Sequence, residues 1–562
     1  MMLKKPTLTT TLIVIVGFLT LCPVVMLLIG SFSQDFVSFG QFTLRKYLEV
    51  YTDPDFADIL INTVIFTVGS ALLATLLALF LAYTNTRTDL PFKFIFKIIS
   101  IIPMMIPHIL FSVSWVLLLN PSNGILNKLF MDLFGLKSAW FNIYSLPGMI
   151  LVEGLLDLPI AYLIIATAMS AFDVSLEESS KVCGASNLRT LFKVTLPVLR
   201  PAILASAILV IVRSLASFAV PSVVGMPGRI YVLSTHIYRS ISSGFAADYG
   251  KAAAIGMSAL AASITLIYLY RYLTSESGKF VTISSRGFKP TLIKLKSVKY
   301  PMFFLVGVLS FILIILPVLV LFYTSMLPYS MVPSAKAFSM MSWSNWIEVL
   351  RDPISLLSLK NSLFLGVAGA TLGTALSIFV SYVIVKVRST ASGVLESLSF
   401  LSFSFPGIVI GVGFMWFFVR TPLYGTITAL LIGYIATYLP YGIRPISSAF
   451  VQIHSHLEES SRVCGASPFY TMRRIVIPLL IPGIISGWIL MATMFLRELT
   501  LSVVLSRPGT EVLAVQILHL AEDGLWGELS ALGIIMIAIS STLVITANLL
   551  GNKMTKLEVV NK

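Results

Sequence analysis

The 562-residue chain is poor in charged residues, which make up only 11% of it, whereas 57% of its residues are hydrophobic. A soluble domain carries about 25% charged residues, so a soluble fold is excluded. Apolar runs of about 20 residues, long enough to cross a bilayer as a helix, recur throughout. An all-α polytopic membrane protein is predicted, with a retained first helix rather than a signal peptide. About twelve spans are expected, at 10–31, 58–83, 95–119, 146–171, 200–220, 250–273, 301–326, 355–385, 396–419, 427–450, 480–502 and 528–550.

Residues suited to metal binding, disulfides or catalysis are also scarce. Of the three cysteines, Cys183 and Cys464 are expected to be semi-buried packing residues, without stable disulfides. The five histidines are scattered; His454 and His456 would diverge by about 200° on a helix, which favours solvated surface residues over a metal site. The sequence has no GxxxxGK[ST] phosphate loop and no nucleophile–base set. We therefore expect neither an enzyme nor ATP bound by this chain.

The net charge of +14 does not require a nucleic-acid partner, because the basic residues are distributed by side. With the N-terminus in the cytosol and twelve alternating spans, 24 of the 39 Lys and Arg residues fall inside, 12 outside and three within spans. This bias obeys the positive-inside rule. It predicts cytosolic termini and a basic linker, 274–300, at the anionic inner leaflet.

A polar decapeptide occurs twice: EESSKVCGAS at 177–186 and EESSRVCGAS at 458–467. The offset of 281 also relates Leu158-Pro159 to Leu439-Pro440 and Pro197 to Pro478, while upstream an offset of 299 relates Asn62 to Asn361 and Pro107 to Pro406. The difference lies in the loop before 146–171, which is longer in the first half. Repeats with six spans each insert the same way up, an architecture known in transporters. The predicted domains are a first half, 1–273, the linker 274–300, and a second half, 301–562.

The decapeptides lie in predicted cytosolic loops, 175–201 and 456–482, each between the fourth and fifth spans of its half. The first loop reads as two short helices, with Ser175 and Glu178 in capping-box positions and Gly184 in a left-handed turn or a close backbone approach. Ser186 or Asn187 would cap the second helix, which would end at Pro197. A single loop of this kind could simply lie on the membrane, but two nearly identical copies predict one partner surface presented twice.

Glu178-Ser179-Ser180, then Gly184 and Val194-x-Leu196-Pro197, resemble the EAA loop of binding-protein-dependent ABC importer permeases, with serines in place of the two alanines. The second copy matches with Glu459-Ser460-Ser461, Gly465 and Ile475-x-Ile477-Pro478. The resemblance implies the type I permease fold, with loops that dock on a homodimer of cytosolic ATPase subunits, which bind ATP and Mg. The residues implied in this coupling are Glu177, Glu178, Ser179, Gly184, Ala185, Pro197, Glu458, Glu459, Ser460, Gly465, Ala466 and Pro478.

The double length resembles the fused permeases of ferric iron importers and of their relatives for phosphonates, thiamine and polyamines. The stretches at 218–238 and 497–517 look most like the iron branch. The implied function is import of ferric iron from an extracytoplasmic binding protein across the cell (inner) membrane. An ion-gradient-driven secondary transporter is the alternative from another class, although it has no need for a repeated cytosolic loop.

Six ionisable residues fall within the predicted spans: Glu153, Asp157, Arg213, Arg444, Arg497 and Glu498. Each alone in the bilayer centre would cost about 2.5–3.5 kcal/mol on insertion scales, so pairing is expected. Glu153 and Asp157 share a helix face, whereas the adjacent Arg497 and Glu498 cannot satisfy each other well. Two interpretations stay open: structural ion pairs, or a translocation path formed by Glu153, Asp157, Arg213, Arg497 and Glu498, whose hard oxygen ligands would suit a ferric cation.

Overall fold

A computed structural model describes residues 5–34, 41–171, 173–242, 247–275, 292–387 and 389–560. Within these ranges the chain is helical, and its only β-pairings are two isolated bridges. Nine of the described helices are long and apolar enough to cross a membrane. The predicted all-α polytopic fold is thus confirmed.

The first half begins with a helix that coincides with the first predicted span and ends with the sixth span. Its helices are α1 (Lys5–Phe32), α2 (Arg45–Tyr51), α3 (Phe56–Arg87), α4 (Lys93–Ile99), α5 (His108–Leu119), α6 (Ile125–Phe134), α7 (Leu146–Ala171), α8 (Ser175–Val182), α9 (Asn187–Thr190), α10 (Leu196–Ala216), α11 (Leu233–Ser242) and α12 (Tyr249–Ser275).

The second half repeats this order, with short helices before its second span in place of α2. Its helices are α13 (Lys299–Ser310), α14 (Leu316–Ser325), α15 (Ala335–Ser339), α16 (Ser344–Val349), α17 (Pro353–Phe364), α18 (Ala370–Tyr382), α19 (Thr390–Leu401), α20 (Gly407–Phe418), α21 (Ile427–Gln452), α22 (Ser455–Val463), α23 (Pro468–Thr471), α24 (Ile477–Leu496), α25 (Ser502–Leu505), α26 (Leu513–Glu522) and α27 (Trp526–Val560).

The third predicted span of each half is a broken helix. A 3₁₀ turn and then Pro107 separate α4 from α5, and a 3₁₀ turn and then Pro406 separate α19 from α20. Both prolines have extended ψ angles, 135° and 136°, and a proline lacks the N–H that a continuing helix needs. The two prolines 299 residues apart therefore break the two halves at equivalent points.

The fifth span of each half is longer than predicted, because the helix does not end at Pro197. A continuous helical segment runs over Asn187–Ala216, and its counterpart runs over Phe469–Leu496. In both, a π-helical turn, Leu191–Thr195 or Met472–Val476, stands directly before the helix that carries the proline. A π turn shifts the hydrogen-bonding register, and the proline that follows it, which lacks an N–H, does not end the helix.

The internal repeat also appears in the contacts at the start of the second spans. The Asn62 amide donates to the Tyr231 carbonyl (3.4 Å), and the Asn361 amide donates to the Glu511 carbonyl (2.9 Å). One residue further along, Thr63 Oγ1 accepts from Leu233 N (3.1 Å) and Ser362 Oγ accepts from Leu513 N (2.8 Å). These bonds fix the N-termini of α11 and α26 at equivalent places in the two halves.

The difference in offset between the two ends of the repeat has a structural counterpart. In the first half α6 and an irregular segment lie between α5 and α7, whereas only a short turn separates α20 from α21. The extra residues of the first half form this helix and part of the irregular segment.

The basic linker is described only at its ends, since 276–291 lies outside the described residues. Where the chain resumes, Ile293 pairs with the end of α3: Ile293 N donates to the Arg87 carbonyl (2.9 Å) and Asp89 N to the Ile293 carbonyl (3.1 Å). Asp89 also accepts from Leu295 N (2.9 Å) and forms an ion pair with Lys299 Nζ (3.3 Å). The entry to the second half is thus attached to the end of the second span of the first half.

Candidate coupling loops and translocation path

Each repeated loop begins with a short helix, α8 or α22, that ends in a left-handed glycine. Gly184 has φ +83° and Gly465 has φ +79°, and a Cβ added to either residue would have no neighbour within 4 Å. The left-handed turn predicted from the sequence is confirmed, and no backbone among the described residues approaches either glycine closely. Because the surrounding space is open, the requirement for glycine at these positions comes from the backbone conformation alone.

The caps of the first loop agree with the sequence only in part. Ser186 is the N-cap of α9 and accepts from Arg189 N (3.3 Å), as predicted. The predicted capping box is wrong, because Ser175 is already the first residue of α8 and its N–H donates to Asp173 Oδ1 (2.9 Å). The N-cap position is occupied by Val174, which makes no side-chain cap bond, and Asp173 satisfies only the first amide of the helix.

Both loops present matching exposed surfaces. Val182 and Val463 are each 87% exposed, although they are large hydrophobic residues. The neighbouring polar positions of the predicted coupling surface are exposed as well: Glu178, Ser179 and Gly184 in the first loop, and Glu459, Ser460 and Gly465 in the second. Ala185 and Ala466 are half-buried. A single exposed valine is common on protein surfaces, but here the same exposed side chain occurs at the equivalent position of both loops.

The cysteines of the decapeptides belong to the same exposed surfaces. Cys183 and Cys464 are exposed free thiols, so the expectation of semi-buried packing residues is wrong. Each follows its valine at the helix end, where the chain turns into the left-handed glycine and no neighbouring element covers it.

Glu177 and Glu458, the first residues of the two decapeptides, are buried. Glu177 Oε1 lies 3.8 Å from Arg87 Nε and accepts from Thr195 Oγ1 (2.8 Å). Glu458 Oε1 lies 3.0 Å from Lys386 Nζ. Arg87 and Lys386 are 299 residues apart, so the two halves build the same ion pair between the loop and the end of the second span. Sequence reasoning missed these bases, although the offset that relates Asn62 to Asn361 would have identified them.

A second repeated contact fixes the angle within each loop. Ser180 and Thr190 share a hydrogen bond of 3.1 Å between their hydroxyls, and Ser461 and Thr471 share one of 2.8 Å. In each loop the bond joins the short first helix to the first turn of the following helix. The serines that replace the second alanine of the EAA pattern therefore have a structural use in this chain.

Within the first half, the intramembrane charges are paired between the fourth and fifth spans. Asp157 on α7 is fully buried, and its Oδ1 lies 2.9 Å from Arg213 Nε on α10. One turn earlier on α7, Glu153 Oε2 accepts from Ser217 Oγ (2.8 Å), just beyond the end of α10. The predicted common face of Glu153 and Asp157 is confirmed, and that face meets α10.

In the second half, Glu498 lies beyond the end of α24 rather than within a span as predicted. Its Oε2 accepts from the Tyr438 hydroxyl, and its Oε1 accepts from Leu501 N (2.6 Å). Glu498 is therefore bonded by α21 and by a nearby backbone N–H rather than by the adjacent Arg497, in agreement with the expectation that these two residues do not satisfy each other. Tyr438 lies 281 residues after Asp157, so the two residues occupy equivalent positions in the two halves. The position holds an acceptor, the Asp157 carboxylate, on α7 and a donor, the Tyr438 hydroxyl, on α21.

Arg497 crosses from the second half to the first. One of its Nη atoms donates to the Met104 carbonyl, in the 3₁₀ turn just before Pro107. The break in the third span leaves this carbonyl without a helical partner. Irregular backbone at membrane depth is tolerated only beside protein or a cavity, and here the Arg497 side chain supplies the missing hydrogen bond. Arg497 thus joins the broken span of one half to the end of the fifth span of the other.

The charged groups meet where the halves adjoin. Arg213 and Arg497 lie close enough to interact electrostatically with each other, with Tyr441 and with His108. The Arg213 side chain remains 28% exposed while its carboxylate partner is covered. Arg444, the sixth intramembrane charge, lies apart with its guanidinium 4.4 Å from the centre of the Phe400 ring.

A cavity of about 320 Å³ lies between the halves on the side of α11 and α26. Its wall includes Tyr238 and Tyr249 from the first half and Arg507, Glu511 and His519 from the second. Arg507 is held in place by the Tyr424 hydroxyl (2.6 Å) and by the Ser506 carbonyl (2.7 Å). Sequence reasoning assigned no role to this cavity, which is formed only when the two halves pack together.

No group of three or more His, Cys, Asp or Glu side chains that could hold a metal occurs among the described residues. His454 and His456 are exposed, as expected, but their rings stack with centres 4.4 Å apart. The helical divergence does not apply, because His454 is the N-cap of α22 with an extended ψ of 139°.

Comparisons with known proteins agree with this arrangement. The profile of the family described as "Binding-protein-dependent transport system inner membrane component" matches two segments, residues 70–277 and 373–555. The chain is 27% identical over 548 residues to the ferric transport system permease protein FbpB of Actinobacillus pleuropneumoniae, covering 95% of this chain and 76% of that protein.

Two further relatives come from Haemophilus influenzae. The chain is 23% identical over 505 residues to the Fe(3+)-transport system permease protein FbpB 2, covering 88% of this chain and 90% of that protein. It is 28% identical over 213 residues to the spermidine/putrescine transport system permease protein PotC, covering 38% of this chain and 82% of that protein.

Proposed function

The chain belongs to the family of binding-protein-dependent transport system inner membrane components, and we propose that it is the double-length permease of a ferric iron importer. The observation that carries the proposal is the duplicated loop with its two exposed valines, Val182 and Val463, in a chain that matches ferric permeases over almost its whole length. The chain is a multi-pass inner membrane protein; the proposed topology places both termini and both loops in the cytosol.

In this proposal each loop docks on one subunit of an ATPase homodimer. The exposed surface of the first loop, formed by Glu178, Ser179, Val182 and Gly184, would fill a cleft on one subunit. The pseudo-equivalent surface of the second loop would fill the same cleft on the other subunit, which explains why the sequence is kept almost identical in both. ATP and Mg would be bound by that partner.

The proposed path runs between the halves, from the cavity on the side of α11 and α26 towards the cluster at Arg213 and Arg497. A substrate released by the extracytoplasmic binding protein would enter at the wall formed by Tyr238, Tyr249 and Glu511. The contact between Arg497 and the Met104 carbonyl would close the path in this conformation. Opening would require the two halves to separate there, as in alternating access.

Ferric iron is the proposed substrate because two relatives named for iron match most of the chain, whereas the polyamine permease matches 38% of it. The experiment is uptake of radioactive iron into proteoliposomes that contain the chain, its ATPase and the iron-loaded binding protein. Uptake that requires ATP and stops with vanadate supports the proposal. Uptake driven by an ion gradient without ATP would indicate a secondary transporter, and ATP-dependent uptake of spermidine but not iron would indicate a polyamine importer.

A further inference from the structure

The two buried glutamates of the repeated loops face away from the proposed docking surfaces. Glu177 is 4% exposed and Glu458 is 9% exposed, although the next residue in each loop, Glu178 or Glu459, is exposed. Consecutive helical residues point about 100° apart, so one helix can present one glutamate to a partner and bury the other. The exposed Glu178 and Glu459 are the residues that align with the glutamate of the EAA pattern, whereas the buried Glu177 and Glu458 precede it.

Each buried glutamate forms an ion pair with a basic side chain of the second span, and that side chain also donates a hydrogen bond to the fourth span. Besides its ion pair with Glu177, Arg87 donates from Nη2 to the Met169 carbonyl near the end of α7 (3.0 Å). Besides its ion pair with Glu458, Lys386 donates from Nζ to the Ile453 carbonyl at the end of α21 (2.9 Å). One side chain therefore joins the second span, the fourth span and the coupling helix in each half.

We propose that Glu177 and Glu458 are positioning residues that attach the coupling helices to the second and fourth spans and do not contact the ATPase. The inference rests on the proposed function, because it supposes that α8 and α22 are moved by an ATPase. A short helix of eight or nine residues follows such a movement as one body. The buried ion pairs then carry its displacement directly to Arg87 and Lys386, and so to the ends of the spans.

The two halves themselves indicate what the attachment requires. The first half uses an arginine and the second a lysine, so a positive charge at this position is sufficient and the guanidinium shape is not essential. Arg87→Lys should therefore preserve coupling, whereas Arg87→Gln should not. Removing one partner of a buried pair leaves an uncompensated charge, so the neutral variants have to be compared with a matched control.

The test uses the full chain purified with its ATPase and assayed with the loaded binding protein. For Glu177→Gln with Glu458→Gln, we expect the ATPase to co-purify as with the wild type. Hydrolysis stimulated by the loaded binding protein should fall about tenfold, a typical size for coupling between sites. Arg87→Gln with Lys386→Gln removes the same pairs from the span side and should give the same result. Glu396→Gln, which changes an exposed glutamate on α19, is the control for the substitution itself and should behave as the wild type, and the Arg87→Lys variant controls for the buried charge.

Two outcomes would overturn the assignment: normal stimulated hydrolysis in the Glu177→Gln, Glu458→Gln variant, or loss of ATPase co-purification in that variant. The second outcome would mean that these residues belong to the docking surface. If the loop variant folds poorly, the Arg87→Lys and Arg87→Gln pair decides the question, since a difference between them supports the attachment and equal coupling contradicts it. Failure of the wild-type chain to bind any ATPase would instead refute the proposed function.

Discussion

The left-handed glycines of the two loops allow a quantitative prediction. Gly184 and Gly465 have φ of +83° and +79°, and a Cβ at either position would have no neighbour within 4 Å. A substitution therefore adds no clash within the described part of this chain, and its cost to the fold of the loop is that of the left-handed backbone, about 1–2 kcal/mol for an ordinary L-residue. A β-branched residue should lie at the upper end of that range. Valine at Gly184 should thus reduce the population of the native turn by a factor of about 30.

The assay is ATPase co-purification and binding-protein-stimulated hydrolysis for Gly184→Val, Gly465→Val and the double variant. Each single variant should lose coupling, and the double variant should lose more, because each loop is proposed to meet a different ATPase subunit. Gly184→Asn should be mild, since asparagine tolerates the left-handed region. Aspartate shares this tolerance, so Gly184→Asp tests the added charge more than the turn.

A matched control lies on the other side of the protein. Gly135 ends α6 with φ +64° and also has no neighbour within 4 Å, so Gly135→Val carries the same backbone cost away from the loops. It should lower stability to a similar extent and leave coupling intact. Equal coupling defects in Gly135→Val and Gly184→Val would refute the reasoning, because the loss would then reflect general destabilisation.

Three further predictions concern the membrane region and the surface. Glu498→Gln should lower transport more than Glu153→Gln, because Glu498 fixes the turn beside Arg497 through two hydrogen bonds whereas Glu153 accepts one. Normal transport by both folded variants would contradict the translocation path and would mean that these charges have a structural role only. The hydrogen bond from Lys251 Nζ (2.7 Å) lowers the pKa of Asp53, so this ion pair stabilises the fold above about pH 4, and the stabilisation is lost as the pH falls through the lowered pKa. In thermal unfolding measured in detergent, Asp53→Asn should reduce the loss of stability on acidification by less than about 1 kcal/mol. An unchanged loss of stability at acid pH would contradict the assignment. A cysteine at Ser285, in the linker outside the described residues, should not react with an impermeant external thiol reagent in intact cells, and labelling there would overturn the proposed topology.

The sequence was sufficient for those features that depend on local patterns. Apolar run length located most of the spans, and the repeat offset paired Pro107 with Pro406, the two residues at which the structure breaks the third spans. The left-handed turns followed from a glycine after a short polar helix, whose backbone requirement is independent of its neighbours.

The features that depend on packing could not be read from the sequence. Nothing in the decapeptide distinguishes Glu177 from Glu178, because the orientation of α8 relative to α3 decides which glutamate is buried. The partners of Glu498 and Arg497 come from α21 and from the other half, the latter 393 residues away. The helix also continues through Pro197, because a preceding π turn adjusts the register, and no residue preference specific to that turn marks it.

The central claim is that each loop docks on its own ATPase subunit, and site-specific photo-crosslinking from the two exposed valines tests it most directly. A photoreactive residue at Val182 or at Val463, in the chain co-expressed with its ATPase, should in each case form a crosslink to the ATPase. With both positions substituted, a single chain should capture two ATPase copies. Absence of ATPase adducts from both positions in an assembled, transport-active complex would contradict the account.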